Sequence, residues 1–121
     1  MINKVNLSEK FSGLTEHWRP KVAAKLNGQE IKLVKFKGEF VRHKHDEADE
    51  MFLVWRGKFR IEFRDSSIEL TEGEFIVIPR GVEHKPVADE EVEVILFEPE
   101  DTLNTGNVID EKLTAPKGEI I

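Results

Sequence analysis

His43 and His45 are two residues apart, Glu50 follows five residues after His45, and His84 lies far along the chain, just behind Pro79-Arg80-Gly81. In an extended strand, side chains at i and i+2 leave the backbone on the same face, so the two imidazoles project together. The acidic stretch Asp46-Glu47-Ala48-Asp49 can turn the chain and return Glu50 at the start of the next strand. Three neutral imidazoles and one carboxylate suit a single divalent transition ion such as Fe, Mn, Ni or Zn. An oxygen cage for calcium would need more carboxylates. Four protein ligands leave about two positions for water or substrate on an ion that prefers six.

Such a group works only if strands hold it. From Lys21 onward the chain breaks into short segments with turn signals at close spacing. Asn27-Gly28 is the strongest, a two-residue hairpin signal between Val22–Leu26 and Glu30–Phe36. Further breaks fall at Lys37-Gly38, Arg56-Gly57, Asp65-Ser66, Glu72-Gly73, Pro79-Arg80-Gly81 and Ala88-Asp89. Between breaks the period is two. Phe59, Ile61 and Phe63 alternate with charged residues, as do Val92 and Val94. Met51–Trp55 and Phe75–Ile78 are apolar on both faces, as in a sandwich interior or at a subunit interface. Lys32 to Lys37 alternates with apolar residues and reads as the wet face of a strand. No stretch before residue 98 carries helical periodicity. Many short strands with Gly and Pro turns predict an all-β sandwich or barrel. The expected organisation is an N-terminal arm over residues 1–20, a barrel over 21–98, and an irregular tail over 99–121 that packs on the barrel or is partly flexible.

The stretch from Gly38 through His43, His45 and Glu50 to Gly57 resembles the first motif of the cupin superfamily: glycine, His-x-His, a glutamate, then six residues and a glycine. Gly73-Glu-Phe-Ile-Val-Ile-Pro79-Arg-Gly81-Val-Glu-His84 resembles the second. Four residues rather than five separate Gly38 from His43, and Ala88 stands at the family's asparagine position. Neither departure removes a ligand. The resemblance implies a single-domain jelly-roll β-barrel, with His43, His45, Glu50 and His84 as ligands of one metal ion in its mouth. The whole chain also looks like the short mannose-6-phosphate-isomerase-like cupins.

Other residues can be placed by alternation. Phe52 and Val54 share a face with Glu50 and should line the interior. Met51, Leu53 and Trp55 then face outward, and a homodimer contact is the simplest cover for them, because small cupins commonly pair, against the alternative that the N-terminal arm or the tail covers them in the same chain. Arg42 should point away from the histidines. Arg80 and Glu83 belong to a solvated turn. His17, beside Trp18, is read as part of an aromatic arm packing on the barrel edge, against the alternative of a base or lid residue at the pocket.

Composition narrows the function classes. The chain has 121 residues, enough for one domain. Its 18 Lys and Arg against 24 Asp and Glu give a net charge of −6, which argues against nucleic acid or an anionic membrane as partner. No cysteine is present, which removes disulfides, thiolate sites and thiol nucleophiles. No apolar run approaches membrane-spanning length, and no signal peptide opens the sequence, so a cytoplasmic protein is expected. The absence of tyrosine leaves few side-chain acids and bases. That scarcity favours metal-centred chemistry on a small molecule: dioxygenation, isomerisation or decarboxylation. The alternative is a non-catalytic module that binds a metal or small ligand. A purely structural jelly roll would predict lost ligands.

Overall fold

A computed structural model describes residues 2–121. It has one short helix, α1 (Leu7–Ser12), and seven strands: β1 (Lys21–Leu26), β2 (Gln29–Glu39), β3 (Glu50–Arg56), β4 (Lys58–Glu62), β5 (Ser67–Thr71), β6 (Phe75–Ile78) and β7 (Lys85–Pro99). All pairings between these strands are antiparallel, and together they form a jelly-roll β-barrel.

The β1–β2 hairpin turns at Asn27-Gly28, with φ of 51° and 79°. Two successive positive φ values are the geometry that Asn-Gly supplies at low steric cost. β2 runs on through Lys37-Gly38, where the sequence suggests a break; the register merely shifts there. β7 likewise runs through Ala88-Asp89. Its first residues, Lys85–Val87, pair with β4, while residues from Val92 onward lie between β2 and β3. Asp89, Glu90 and Glu91 are exposed at the bend between the two halves.

Inside the barrel, Val34, Phe36, Phe52, Val54, Phe59, Ile61, Val92, Val94 and Leu96 form one buried cluster. Period-two alternation therefore places Phe52 and Val54 inward, as expected. The same parity overturns the expectation for Lys32. It lies on the face of Val34 and Phe36, points into the barrel, and is 4% exposed.

The helix at Leu7–Ser12 is also unanticipated, since six residues are too few to display a 3.6 period. Its signal is local. Asn6 is the N-cap, and its Oδ1 accepts from the Glu9 N–H at 2.9 Å. Phe11 and Leu14 then bury against Leu33, Trp55 and Ile95 on the outer sheet face. Trp55 thus packs against the N-terminal arm of the same chain. The outward neighbours Met51 and Leu53 are half-buried, and they flank exposed Phe75 and Val77 on the adjacent edge strand β6.

The tail from Glu100 to Ile121 has no strand or helix of its own, yet it is tied down. Asn104 donates to the carbonyls of Trp18 and Leu113 and accepts from the Ala115 N–H. Thr105 and Ala115 are buried, and Ile120 bridges to Val22 of β1.

Candidate metal centre

His43 and His84 lie outside the regular strands but pair with each other. Each donates its backbone N–H to the other's carbonyl, at 3.0 and 2.8 Å. This two-residue bridge sets their rings side by side, with centroids 4.4 Å apart. The Nδ1 of His43 lies 2.9 Å from the Val41 carbonyl, and that of His84 lies 2.9 Å from the Val82 carbonyl. A carbonyl can only accept, so Nδ1 carries the hydrogen in each ring and Nε2 keeps its lone pair. The turn after β6 fixes His45: its carbonyl accepts from Gly81 N–H at 2.7 Å, and Asp49 ties down Arg80. Glu50, the first residue of β3, pairs with Ile78 and points inward.

These four side chains converge. One ligand atom from each of His43, His45, Glu50 and His84 lies within 4.8 Å of the others, and all four residues are buried. Glu50 Oε1 is 3.4 Å from both His45 Nε2 and His84 Nε2. These three atoms are buried without a hydrogen-bond partner. Buried polar atoms are rarely left so, since each forfeits its solvation without return. Orphaned lone pairs from imidazole and carboxylate facing one point are the donor set of a borderline divalent cation. The group can therefore hold one metal ion.

Electrostatics agree. Burial, and then the neighbouring His84, lower the His43 pKa to about 4, so its imidazole is neutral at ordinary pH. Burial alone would raise the Glu50 pKa, but the neighbouring Glu98, His45 and His84 side chains hold it well below the usual carboxylate range. The opposite holds for Glu98: burial, then the Glu50 charge, push its carboxyl well above that range.

Glu98 and Lys32 were not anticipated from the sequence. Lys32 Nζ is 2.7 Å from Glu98 Oε1 and 3.6 Å from Glu30 Oε1, and all three side chains are at most 5% exposed. The available signal was parity: Glu98 continues the inward series Val92, Val94, Leu96, and Glu30 and Lys32 precede Val34 and Phe36.

Two spaces adjoin the histidines. An inner cavity of about 20 Å³, room for one water, touches His43 and Glu50 and is walled by Trp18, Phe36, Phe40 and Phe52. Trp18 stacks on Phe36 and Phe40 with centroids 4.4 and 4.7 Å away. Its ring N–H donates to the Lys37 carbonyl. On the other side, a polar groove of about 470 Å³ reaches His45 between the Lys44–Ala48 loop and the tail. At Gly106 the tail lies so close that a Cβ would collide with the Lys44 carbonyl.

The remaining predicted residues sit apart from this point. His17 is exposed and bonds Glu91 at 2.7 Å on the barrel edge. Arg42 reaches toward the Glu62 carbonyl, and Arg80 and Glu83 pair in solvent with Asp49 and Arg64.

A small jelly-roll barrel with a His₃Glu group that can hold a metal is a defined class, and the chain belongs to it: residues 31–98 match the cupin domain family, Cupin_2. Among solved structures it is similar to a cupin-2 domain protein from Shewanella frigidimarina, at 49% identity and a TM-score of 0.78, covering 78% of this chain and 93% of that one. It is also similar to protein NMB1881 from Neisseria meningitidis, at 28% identity and a TM-score of 0.74, covering 80% and 99%. A curated relative, the uncharacterized protein YdbB of Bacillus subtilis, is 32% identical over 63 residues. That match spans 51% of this chain and 56% of YdbB, little more than half its length. Among the described residues, no helix is long and apolar enough to cross a membrane.

Proposed function

We propose that this cupin binds one divalent transition ion (Fe, Mn, Ni or Zn) through His43, His45, Glu50 and His84, and acts on a small molecule by metal-centred chemistry of the dioxygenase, isomerase or decarboxylase type. The observation that carries this reading is the set of buried, unpartnered atoms, His45 Nε2, His84 Nε2 and Glu50 Oε1, facing one point. Such an ion supplies Lewis acidity, or redox chemistry if it is iron or manganese.

The chain's own residues do the rest. The Val41 and Val82 carbonyls fix the tautomers of His43 and His84. Trp18, Phe36 and Phe40 keep bulk water from the inner side. A substrate would come through the polar groove at His45. No histidine outside the four stands near the site, so the titratable groups within reach are the groove carboxylates such as Asp46, Glu47 and Glu100.

The second reading is a non-catalytic metal or small-ligand module. The closed aromatic interior favours it, since one water's volume cannot take a substrate. The groove, with its width and polarity, favours catalysis. The resemblance to the mannose-6-phosphate-isomerase-like cupins and a cytoplasmic setting belong to the same reading, with neither nucleic acid nor membrane as partner. We also propose that Phe75, Val77, Met51 and Leu53 seat a second copy of the chain.

Elemental analysis of untagged, anaerobically purified protein tests the site. About one equivalent of a transition metal is expected, with loading lost in His45→Ala and His84→Ala. A fully loaded His45→Ala protein would sink the ligand assignment.

A further inference from the structure

Lys44, the residue between the candidate ligands His43 and His45, lies outside every strand and has no strand neighbour. In an extended antiparallel pair, successive residues turn their N–H and C=O groups to opposite sides. Those of His43 face His84, so those of Lys44 face away from it, toward what would be an open edge. Asn107 of the tail closes that edge. Lys44 N–H donates to Asn107 Oδ1 at 2.9 Å, and Asn107 N–H donates to the Lys44 carbonyl at 3.0 Å. A single tail residue thus takes the place of a strand. The turns that present it support themselves. Gly106 N–H donates to the Leu103 carbonyl, and Val108 N–H to the Thr105 carbonyl. Buried Thr105 shares a hydroxyl hydrogen bond with Thr114 at 2.8 Å. Gly106 has a φ of 55°, and a Cβ there would also come within 3.1 Å of the His43 ring. The span matched to the cupin family ends at residue 98, so this clasp comes from outside it.

We propose that Asn107 is a positioning residue for the metal centre, which clasps Lys44 and so holds the His43 and His45 imidazoles aimed together at Glu50 and His84. This rests on the ligand assignment above. The two rings share a face only while Lys44 stays extended. A rotation of the Lys44 backbone would turn one ring away from the other, and both backbone hydrogen bonds of Lys44 go to Asn107. Asn107 is itself exposed, so core packing does not account for its place. Groups that orient ligands typically govern metal affinity by 10–100-fold.

The test is cobalt(II) titration of metal-free full-length protein, following affinity and the visible d–d bands. Amide exchange at Lys44 and the apoprotein melting temperature are measured in parallel. Asn107→Ala removes the acceptor of the Lys44 N–H. It should weaken Co²⁺ binding by about tenfold, shift the bands and speed exchange at Lys44. Gly106→Ala, which forces the tail off the Lys44 carbonyl, should do the same. Asn107→Asp keeps the acceptor oxygen and should keep the native bands and exchange rate. Asn107→Ala should stay folded with a melting temperature close to native, because the side chain it trims is exposed. Native affinity and bands in Asn107→Ala would overturn the proposal. An Asn107→Asp protein that behaves like the Ala variant would do so too, as would a Lys44 amide that exchanges equally fast with and without the clasp. Wild-type protein that takes up no Co²⁺ would remove the ligand assignment itself, and the proposal with it.

Discussion

His43 shows how burial tunes a single side chain before any ion is present. Its neutral form is favoured in the folded state, with a pKa of about 4 against an ordinary value of 6.5. Above pH 6.5 it is neutral whether folded or unfolded and contributes nothing to pH dependence. As pH falls toward 4, the unfolded chain binds a proton that the folded chain refuses, so stability is lost. The full effect is roughly 3.4 kcal/mol, about half of it between pH 7 and 5. Glu98, with its raised pKa, works in the opposite direction. The clean measurement is therefore a comparison with His43→Gln, in which Glu98 is common to both. Metal-free His43→Gln should lose about 2 kcal/mol less than the native chain between pH 7 and 5 in urea unfolding. Equal losses would mean that His43 is not held neutral. The four candidate ligands were legible because residue type, spacing and two glycine-bounded motifs coincide. Lys32 and Glu98 were not, because charge suggests an outward face. Only strict parity with Val34, Phe36, Val94 and Leu96 turns them inward.

Among the elements, α1 contributes more than its six residues suggest. Phe11 is fully buried and closes the outer sheet face over Leu33, Trp55 and Ile95. Truncation by Phe11→Ala should cost about 3–5 kcal/mol, as large-to-small changes of buried Phe do. Trp55 should become more exposed, and its emission should shift to the red. A melting temperature and emission unchanged by the substitution would show that the helix does not cover Trp55 in solution. The strands were readable from alternation and the hairpin from Asn-Gly, because those signals are local and periodic. The helix was hidden because one and a half turns carry no period, leaving only the Asn6 cap with Glu9 three residues on. The tail was equally opaque. Its order comes from Asn104 and Asn107 bonding to backbone groups of Trp18, Lys44, Leu113 and Ala115, contacts that composition does not encode.

For the whole molecule, the exposed edge carries the clearest expectation. Phe75 is 64% and Val77 51% exposed on β6, which pairs only with β3. An apolar edge strand left in water invites association. Sedimentation should report twice the 14.0 kDa chain mass, and Phe75→Glu with Val77→Lys should return it to the monomer. A native chain that stays monomeric at high micromolar concentration would exclude this interface. The long strand β7 has a different consequence, one that concerns how the protein is made. β2, β3 and β4 all take β7 as a neighbour, and β7 is the last strand in the chain. On the ribosome each of these three strands emerges with one edge lacking its native partner until about residue 99 is out, with β1, β6 and β5 available only for the other edges. Most of the sheet must then close at once through contacts distant in sequence, which makes folding slow relative to a helical protein of this size. A stalled or truncated product ending before Lys85 would be an aggregating species and not a smaller version of the barrel.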